Sequence, residues 1–276
     1  MMFQKIAVLG PGLLGGSVAL ASRDAGMSVI LWGRREERVQ ATRELGLEAT
    51  TDIEKAVAEA DLIILAVPVG AMTAVTEAMI PHLKKGALVS DVGSVKVKVN
   101  QSVGSLLEKA GIDFIGSHPM AGSEQTGVEA ARADLLTNAA CVITNEANSS
   151  RIDELKKFWL ALGCRIEELD AADHDRAVAR ISHFPHAMAV LTAEVGLRTG
   201  DEANLAGGGF RDTSRVASGD PTMWAEIMME NRDALIKVIA EAQDSLRDML
   251  VFLEDSDEEG LQKFLAEVKI RRDQVS

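Results

Sequence analysis

The apolar positions fall into two regimes. Up to about residue 170, short apolar runs alternate with segments whose apolar residues recur every three or four positions. The runs KIAVLG (5–10), SVILWG (28–33), DLIILAVP (61–68), GALVSDVG (86–93) and DFIGSH (113–118) are rich in β-branched residues and end near Gly, Pro or Asp. They predict strands buried on both faces. Helices are predicted between them near 13–25, 35–45, 52–60, 70–80 and 95–110, the third capped by Thr51 or Asp52. AACVIT (139–144) and CRIEEL (164–169) predict two further strands around a helix at 150–162. Strand and helix alternating in this way predict a mostly parallel, doubly wound α/β sheet with helices on both faces.

Beyond residue 170 the period is helical and no run reads as a strand. The longest helical pattern, 221–254, has Asp220 as cap and Pro221 at its first position. Trp224, Ile227, Met228, Leu235, Val238, Ile239, Ala242, Leu246, Met249, Leu250 and Leu253 follow at three- and four-residue steps. A continuous helix of that length spans ~50 Å, more than a small domain covers. Its apolar stripe predicts a second copy of the chain, hence a homodimer; a monomeric bundle is the other reading. EDSDEE (254–259) predicts a solvated break before a last short helix.

Composition narrows the partners. The chain has 276 residues, 47% hydrophobic and 26% charged, with a formal charge of −13. That sign disfavours nucleic acid and anionic membranes. An anionic ligand therefore needs a local cationic pocket. No run approaches the ~20 apolar residues of a membrane span, and MMFQKIAVLG passes into a strand without a leader-like stretch. The expected location is cytoplasmic. Cys141 and Cys164 lack metal or disulfide spacing and read as buried free thiols in a reducing compartment.

KIAVLGPGLLGGSVALA places Gly10, Gly12 and Gly15 in G-x-G-x-x-G spacing after a strand and at the head of a helix. That context is what makes the spacing a dinucleotide site: a tight turn, close backbone approach to a pyrophosphate, and helix N–H groups facing the phosphates. Leu13 and Leu14 in the turn, with Val67 and Pro68 at the end of DLIILAVP, complete the expected cofactor set. The second strand ends in LWGRREE, with no acid for a ribose 2′-hydroxyl but with Arg34 and Arg35. Guanidinium forks suit a 2′-phosphate, which favours NADP; Glu36 and Glu37 could neutralise them and keep NAD open. The expected organisation is a dinucleotide-binding domain over 1–169 and a helical substrate and dimerisation domain over 170–276.

Two stretches carry candidate chemistry. FIGSHPMAGSEQTG (114–127) puts His118 at a strand end, followed by Pro119, Gly122 and Gly127, which shape a loop. ARISHFPHAMAVL holds His183 and His186 three apart on one helical face, with Pro185 predicting a kink. His174, nine residues before His183, falls half a turn out of phase. The histidine pair lacks a third ligand and the H-E-x-x-H form, so no metal is expected. In LAGGGFRDTSRVASGDPTMW, Arg211 and Arg215 share a face if the segment is helical, and arginine suits bidentate carboxylate recognition.

GPGLLGGS (10–17), DVGSVK (91–96), GSHPMAGSE (116–124), ISHFPHA (181–187) and GGGFRDTSRVASGDPTMW (207–224) together resemble the prephenate/arogenate dehydrogenase family of tyrosine biosynthesis. The resemblance runs over nearly the whole chain. It implies a Rossmann domain followed by a helical dimerisation domain. It also implies oxidative decarboxylation of prephenate, or of arogenate, with hydride transfer to a nicotinamide cofactor. On the same basis His118 accepts the substrate's hydroxyl proton, and Ser94 holds the hydroxyl or the imidazole. Arg215 binds a substrate carboxylate, with His186 and His183 as cationic or hydrogen-bonding neighbours. Ser123 and Glu124 cover the pocket, Glu124 pairing with Arg215, and Trp224 contacts substrate or packs. The chain contains no tyrosine, which would let a tyrosine-making enzyme be translated when tyrosine is scarce.

Two rivals carry different expectations. A β-hydroxyacid dehydrogenase would place K-x-x-N in the helical domain, which has none. A nucleotide-sensing regulator without turnover would not need His118 and Arg215.

Overall fold

The computed structural model describes residues 3–123 and 125–275. Six parallel strands form the main sheet: β1 (Lys5–Leu9), β2 (Ser28–Trp32), β3 (Glu48–Thr50), β4 (Leu62–Leu65), β5 (Leu88–Asp91) and β6 (Asp113–Phe114), in the order β3-β2-β1-β4-β5-β6. Alternate residues of each strand feed cores on opposite faces. Ile6, Val8, Leu62 and Ile64 join one, and Ala7, Leu9, Ile63 and Leu65 the other. The apolar runs are continuous because both faces are dry. The fold class read from the sequence is the one observed. β3 was missed because Glu-Ala-Thr is too short and polar to show a pattern.

The segment read as one strand over 113–118 is two. The chain leaves the main sheet after β6 and enters a three-stranded sheet, β7 (Gly116–Pro119), β8 (Ala140–Thr144) and β9 (Arg165–Glu168), in the order β7-β8-β9. β7 and β8 are antiparallel, with His118 opposite Val142; β8 and β9 are parallel. The switch occurs at Gly116, where a Cβ would run into the Thr144 hydroxyl and crowd Lys96. Ser117 then ties β7 to the end of β5: its N–H donates to Asp91 Oδ1 at 3.1 Å, and its hydroxyl lies 2.8 Å from Ser90 Oγ.

After β9 the chain is helical. Asp170 caps Ala171–Val178 by accepting from Asp173 N at 2.6 Å. The helix continues through a π-turn, Ala179–His183, into Phe184–Gly196. The interruption expected at Pro185 takes this form, one turn upstream, where an inserted residue rearranges the carbonyls a proline cannot pair. Asp220 caps Pro221–Glu230 through Met223 N at 2.8 Å.

The long helix predicted over 221–254 is broken at Asn231 into Pro221–Glu230 and Arg232–Glu254. The Asn231 side chain is spent on tertiary partners, donating to Asp175 O at 2.8 Å and lying 3.2 Å from His183 Nδ1. Asparagine competes readily with helix backbone in this way. The last helix, Glu258–Arg272, is longer than expected.

The chain divides into two compact units, Met1–Asn231 and Arg232–Ser276. The sequence places its boundary at 169/170, where strand gives way to helix. The helices from there to Asn231 pack within the first unit, held by bonds such as those from Lys96 N and Val97 N to the Asp175 carboxylate. In the second unit, Arg232–Glu254 packs on Glu258–Arg272, with the Phe252 and Phe264 rings 6.3 Å apart. No helix among the described residues is long and apolar enough to cross a membrane.

Candidate active site

The phosphate-binding turn is built from what glycine lacks. Gly10 has φ +134° and lies against the Ala66–Val67 backbone, so a Cβ there would overlap the Ala66 carbonyl. A Cβ on Gly15 would overlap the Gly10 carbonyl oxygen, whereas one on Gly12 would meet nothing within 4 Å. Gly12 heads the helix Leu13–Asp24 without a side-chain cap, leaving bare N–H groups and open space. That is the cradle a pyrophosphate fits.

Beside it lies a cleft of about 560 Å³ lined by Trp32, Arg34, Pro68, Gly70, Val75 and Glu226, among others. It sits at the carboxyl ends of β2 and β4, where a doubly wound fold takes the adenosine half of a dinucleotide. Of the two arginines, Arg34 lines it; Arg35 is exposed at the head of the helix Glu36–Glu44. Glu36 pairs with Arg43 at 2.7 Å. An acid does reach the cleft from elsewhere: Glu226 accepts a hydrogen bond from Gly70 N at the start of the helix Val69–Met79.

His118 is nearly buried on β7. Its ring meets His174 edge to face, with His118 Nδ1 2.8 Å from His174 Nε2. His174 Nδ1 lies 2.7 Å from Asp175 Oδ1. Asp175 Oδ1 also accepts from Lys96 N at 2.7 Å, and Oδ2 from Val97 N at 3.0 Å. Beneath them Lys96 and Asp91 form an ion pair with both side chains fully buried. Asp91 further accepts from Gly93 N at 2.8 Å, so the pair fixes the loop bearing Ser94, which is half-buried. Burial first, and then the neighbouring His174, Lys96 and His183, hold His118 well below the usual imidazole pKa. It is a neutral ring at neutral pH, able to accept a proton.

His183 and His186 are buried as well. Asn231 Nδ2 can only donate, so His183 Nδ1 accepts at 3.2 Å and the ring proton sits on Nε2. His183 Nε2 and His186 Nδ1 have no hydrogen-bond partner among the described residues, an arrangement a polar ligand would satisfy. Burial lowers both rings, His183 to about 4. Of the two roles expected for them, the hydrogen-bonding one fits and the cationic one does not. Trp224 stacks on His186 with centroids 3.6 Å apart and meets His183 edge-on at 6.4 Å. Arg215 is exposed on the turn Arg215–Ser218, which packs on the helix bearing His186. Ser123 is exposed, and its hydroxyl accepts from Gln125 N at 2.9 Å, closing its own turn. Glu124 lies outside the described residues.

The cluster contains residues that sequence reasoning passed over. His174 falls half a turn from His183 only if the helix is regular; the π-turn between them resets the phase. Asp91 opens the stretch DVGSVK and Asp175 directly follows His174, but nothing in their spacing pairs Asp91 with Lys96 or Asp175 with His174. Among the described residues no three or more such side chains are arranged to hold a metal ion.

Comparison with known proteins gives the family. The family model for the nucleotide-binding domain of prephenate dehydrogenase matches residues 18–168, and that for its dimerization domain matches 170–267. A cyclohexadienyl dehydrogenase of Zymomonas mobilis is 37% identical over 252 residues, covering 86% of this chain and 84% of that one. A prephenate dehydrogenase of Lactococcus lactis is 32% identical over 276 residues, covering 96% and 76%. The crystal structure of Aquifex aeolicus prephenate dehydrogenase with hydroxyphenyl propionate and NAD+ superimposes with a TM-score of 0.91 at 29% identity, covering 100% and 99%. With its glycine turn, buried histidine and helical second half all accounted for, the chain belongs to the prephenate dehydrogenase family and is an NAD(P)-dependent dehydrogenase.

Proposed function

We propose that the site oxidises prephenate to 4-hydroxyphenylpyruvate, with His118 as the group that takes the hydroxyl proton. The observation that carries this is a buried, neutral imidazole at the carboxyl end of the nucleotide-binding half, engaged on its Nδ1 side by His174. The nicotinamide supplies the hydride acceptor. As the substrate's C–H bond breaks, His118 Nε2 takes the alcohol proton and the ring carboxylate leaves as CO₂, its bonding pair completing the aromatic ring. General-base help of this kind is worth ~10²–10⁴-fold. Ser94, on the loop fixed by the Lys96–Asp91 pair, holds the hydroxyl.

Arg215 binds a substrate carboxylate, with the uncharged His183 and His186 rings as hydrogen-bonding neighbours. His186 is braced by Trp224, so that residue acts by packing. Since His183 and His186 are neutral, the cationic pocket needed in a chain of charge −13 falls to arginine. Ser123 lies on the stretch that follows His118 and covers the substrate. Gly10, Gly12, Leu13, Leu14, Gly15, Val67 and Pro68 hold the dinucleotide. Arg34 favours NADP over NAD, the Glu226 carboxylate in the same cleft opposing it. The apolar side chains exposed on the last two helices, Leu246, Leu250, Leu265 and Ile270 among them, suit a homodimer. Two buried free thiols suit a reducing, cytoplasmic setting.

The test is His118→Asn, assayed with prephenate and arogenate against NADP and NAD. The expected outcome is cofactor affinity retained and turnover lost by ~10²–10⁴-fold. Near-normal turnover removes His118 from the mechanism, and arogenate turned over faster than prephenate by the unaltered enzyme reverses the substrate assignment.

A further inference from the structure

His174 and Asp175 stand behind the His118 ring without an assigned task. An ionised carboxylate only accepts hydrogen bonds, so the 2.7 Å contact with Asp175 Oδ1 places a proton on His174 Nδ1. A His174 ring carrying one proton, on Nδ1, presents only a lone pair at Nε2. The proton in its 2.8 Å contact with His118 must therefore lie on His118 Nδ1. One nitrogen of His118 remains unprotonated, and it is Nε2.

The geometry points to a tautomer relay in which Asp175, acting through His174, holds His118 with Nε2 as its basic nitrogen and shares the positive charge His118 acquires. The inference rests on His118 being the proton acceptor. Both residues are positioning residues; neither touches substrate.

The relay is anchored at each end. Lys96 N and Val97 N donate to the two Asp175 oxygens, and Asn231 donates to the Asp175 carbonyl. Such fixed partners stop the carboxylate from rotating away. Several charged or titratable groups surround His118. From the sheet side come Lys96, neutralised by Asp91, and the Cys141 thiol, which burial keeps protonated. From the helix side come His174, Asp175, and the uncharged His183. Asp175 is the carboxylate that touches His174 on the helix side. When the substrate hydroxyl gives its proton to His118 Nε2, the Nδ1 proton can shift toward His174 Nε2. The cation then lies against the carboxylate rather than beside Lys96.

The test reads the tautomer directly. The chain has five histidines, so two-bond ¹H–¹⁵N spectra of histidine-labelled enzyme can be assigned by the signals lost in His118→Asn. Near neutral pH the unaltered enzyme should show His118 protonated at Nδ1 and bare at Nε2. Asp175→Asn should shift His118 toward the Nε2–H form and lower kcat at least ~10²-fold, leaving prephenate KM and cofactor Kd within about threefold. Asp175→Glu should recover part of kcat. A purely structural role would move stability without moving the tautomer.

An Nε2–H tautomer in the unaltered enzyme overturns the relay by itself, even if Asp175→Asn does not fold. So does full kcat in both Asp175→Asn and His174→Gln while His118→Asn is inactive. Near-normal turnover of His118→Asn removes the relay together with the reading of His118 on which it rests.

Discussion

The phosphate turn and the histidine cluster are built on opposite plans. Between Gly10 and Gly15 the chain offers bare backbone N–H groups and open space at Gly12, with no side-chain cap on the helix behind. Around His118 the space is filled by polar side chains, each held by the next, over a fully buried ion pair. One region makes room for a ligand through what it leaves out, and the other fixes the His118 ring through what it packs in. Damage to the first should therefore appear as lost binding. Damage to the second should appear as lost turnover or lost stability.

Lys96→Met probes that division hardest. It leaves the Asp91 carboxylate buried without its partner, a change that costs about 3–5 kcal/mol. Denaturant melts should show that loss; an unchanged midpoint would mean the pair is dispensable to the packed region. Gly15→Ala comes next. Its methyl overlaps the Gly10 carbonyl, a crowding worth about 1–3 kcal/mol. Cofactor Kd should rise about 10- to 100-fold with kcat at saturating cofactor largely kept. A fall in kcat instead would show that the two regions are not separable.

Arg34→Ala should weaken NADP by about tenfold and NAD by less than twofold, since an exposed charge-assisted bond is worth roughly 1–2 kcal/mol. Equal losses in fluorescence titrations would take the 2′-phosphate away from Arg34. Stability also depends on pH. His183 and His118 titrate below their ordinary 6.5 when folded, so the unfolded chain binds more protons below that pH. Stability should be flat above about 6.5 and decline as pH falls toward about 4, where His183 itself protonates in the fold. A rise in stability over that window would mean these rings are charged in the native protein.

The spacing of the glycine turn and the apolar strands of the main sheet were legible because each is a local matter. Gly10, Gly12 and Gly15 act within six residues, and a strand dry on both faces shows itself as an unbroken apolar run. What stayed hidden depends on partners far along the chain. Asn231 ends a helix because Asp175 and His183 take its side chain, which the period of the apolar stripe does not reveal. Gly116 moves the chain from one sheet to another because Thr144 and Lys96 crowd it. Lys96 read as the end of a loop motif, and its burial follows from Asp91 lying at the end of the neighbouring strand. Glu226 enters the cleft beside the glycine turn from a helix that begins more than 150 residues after Gly70.

The π-turn over Ala179–His183 has a consequence for chain length. Each residue of a regular helix advances the next by ~100°. Deleting any one of the first four, Ala179 to Ser182, would restore the regular pitch and swing the rings of His183 and His186 off the face they share with His174. The sequence of this segment can therefore drift in identity far more readily than in number, and a shortened variant would keep its helix while losing its pocket.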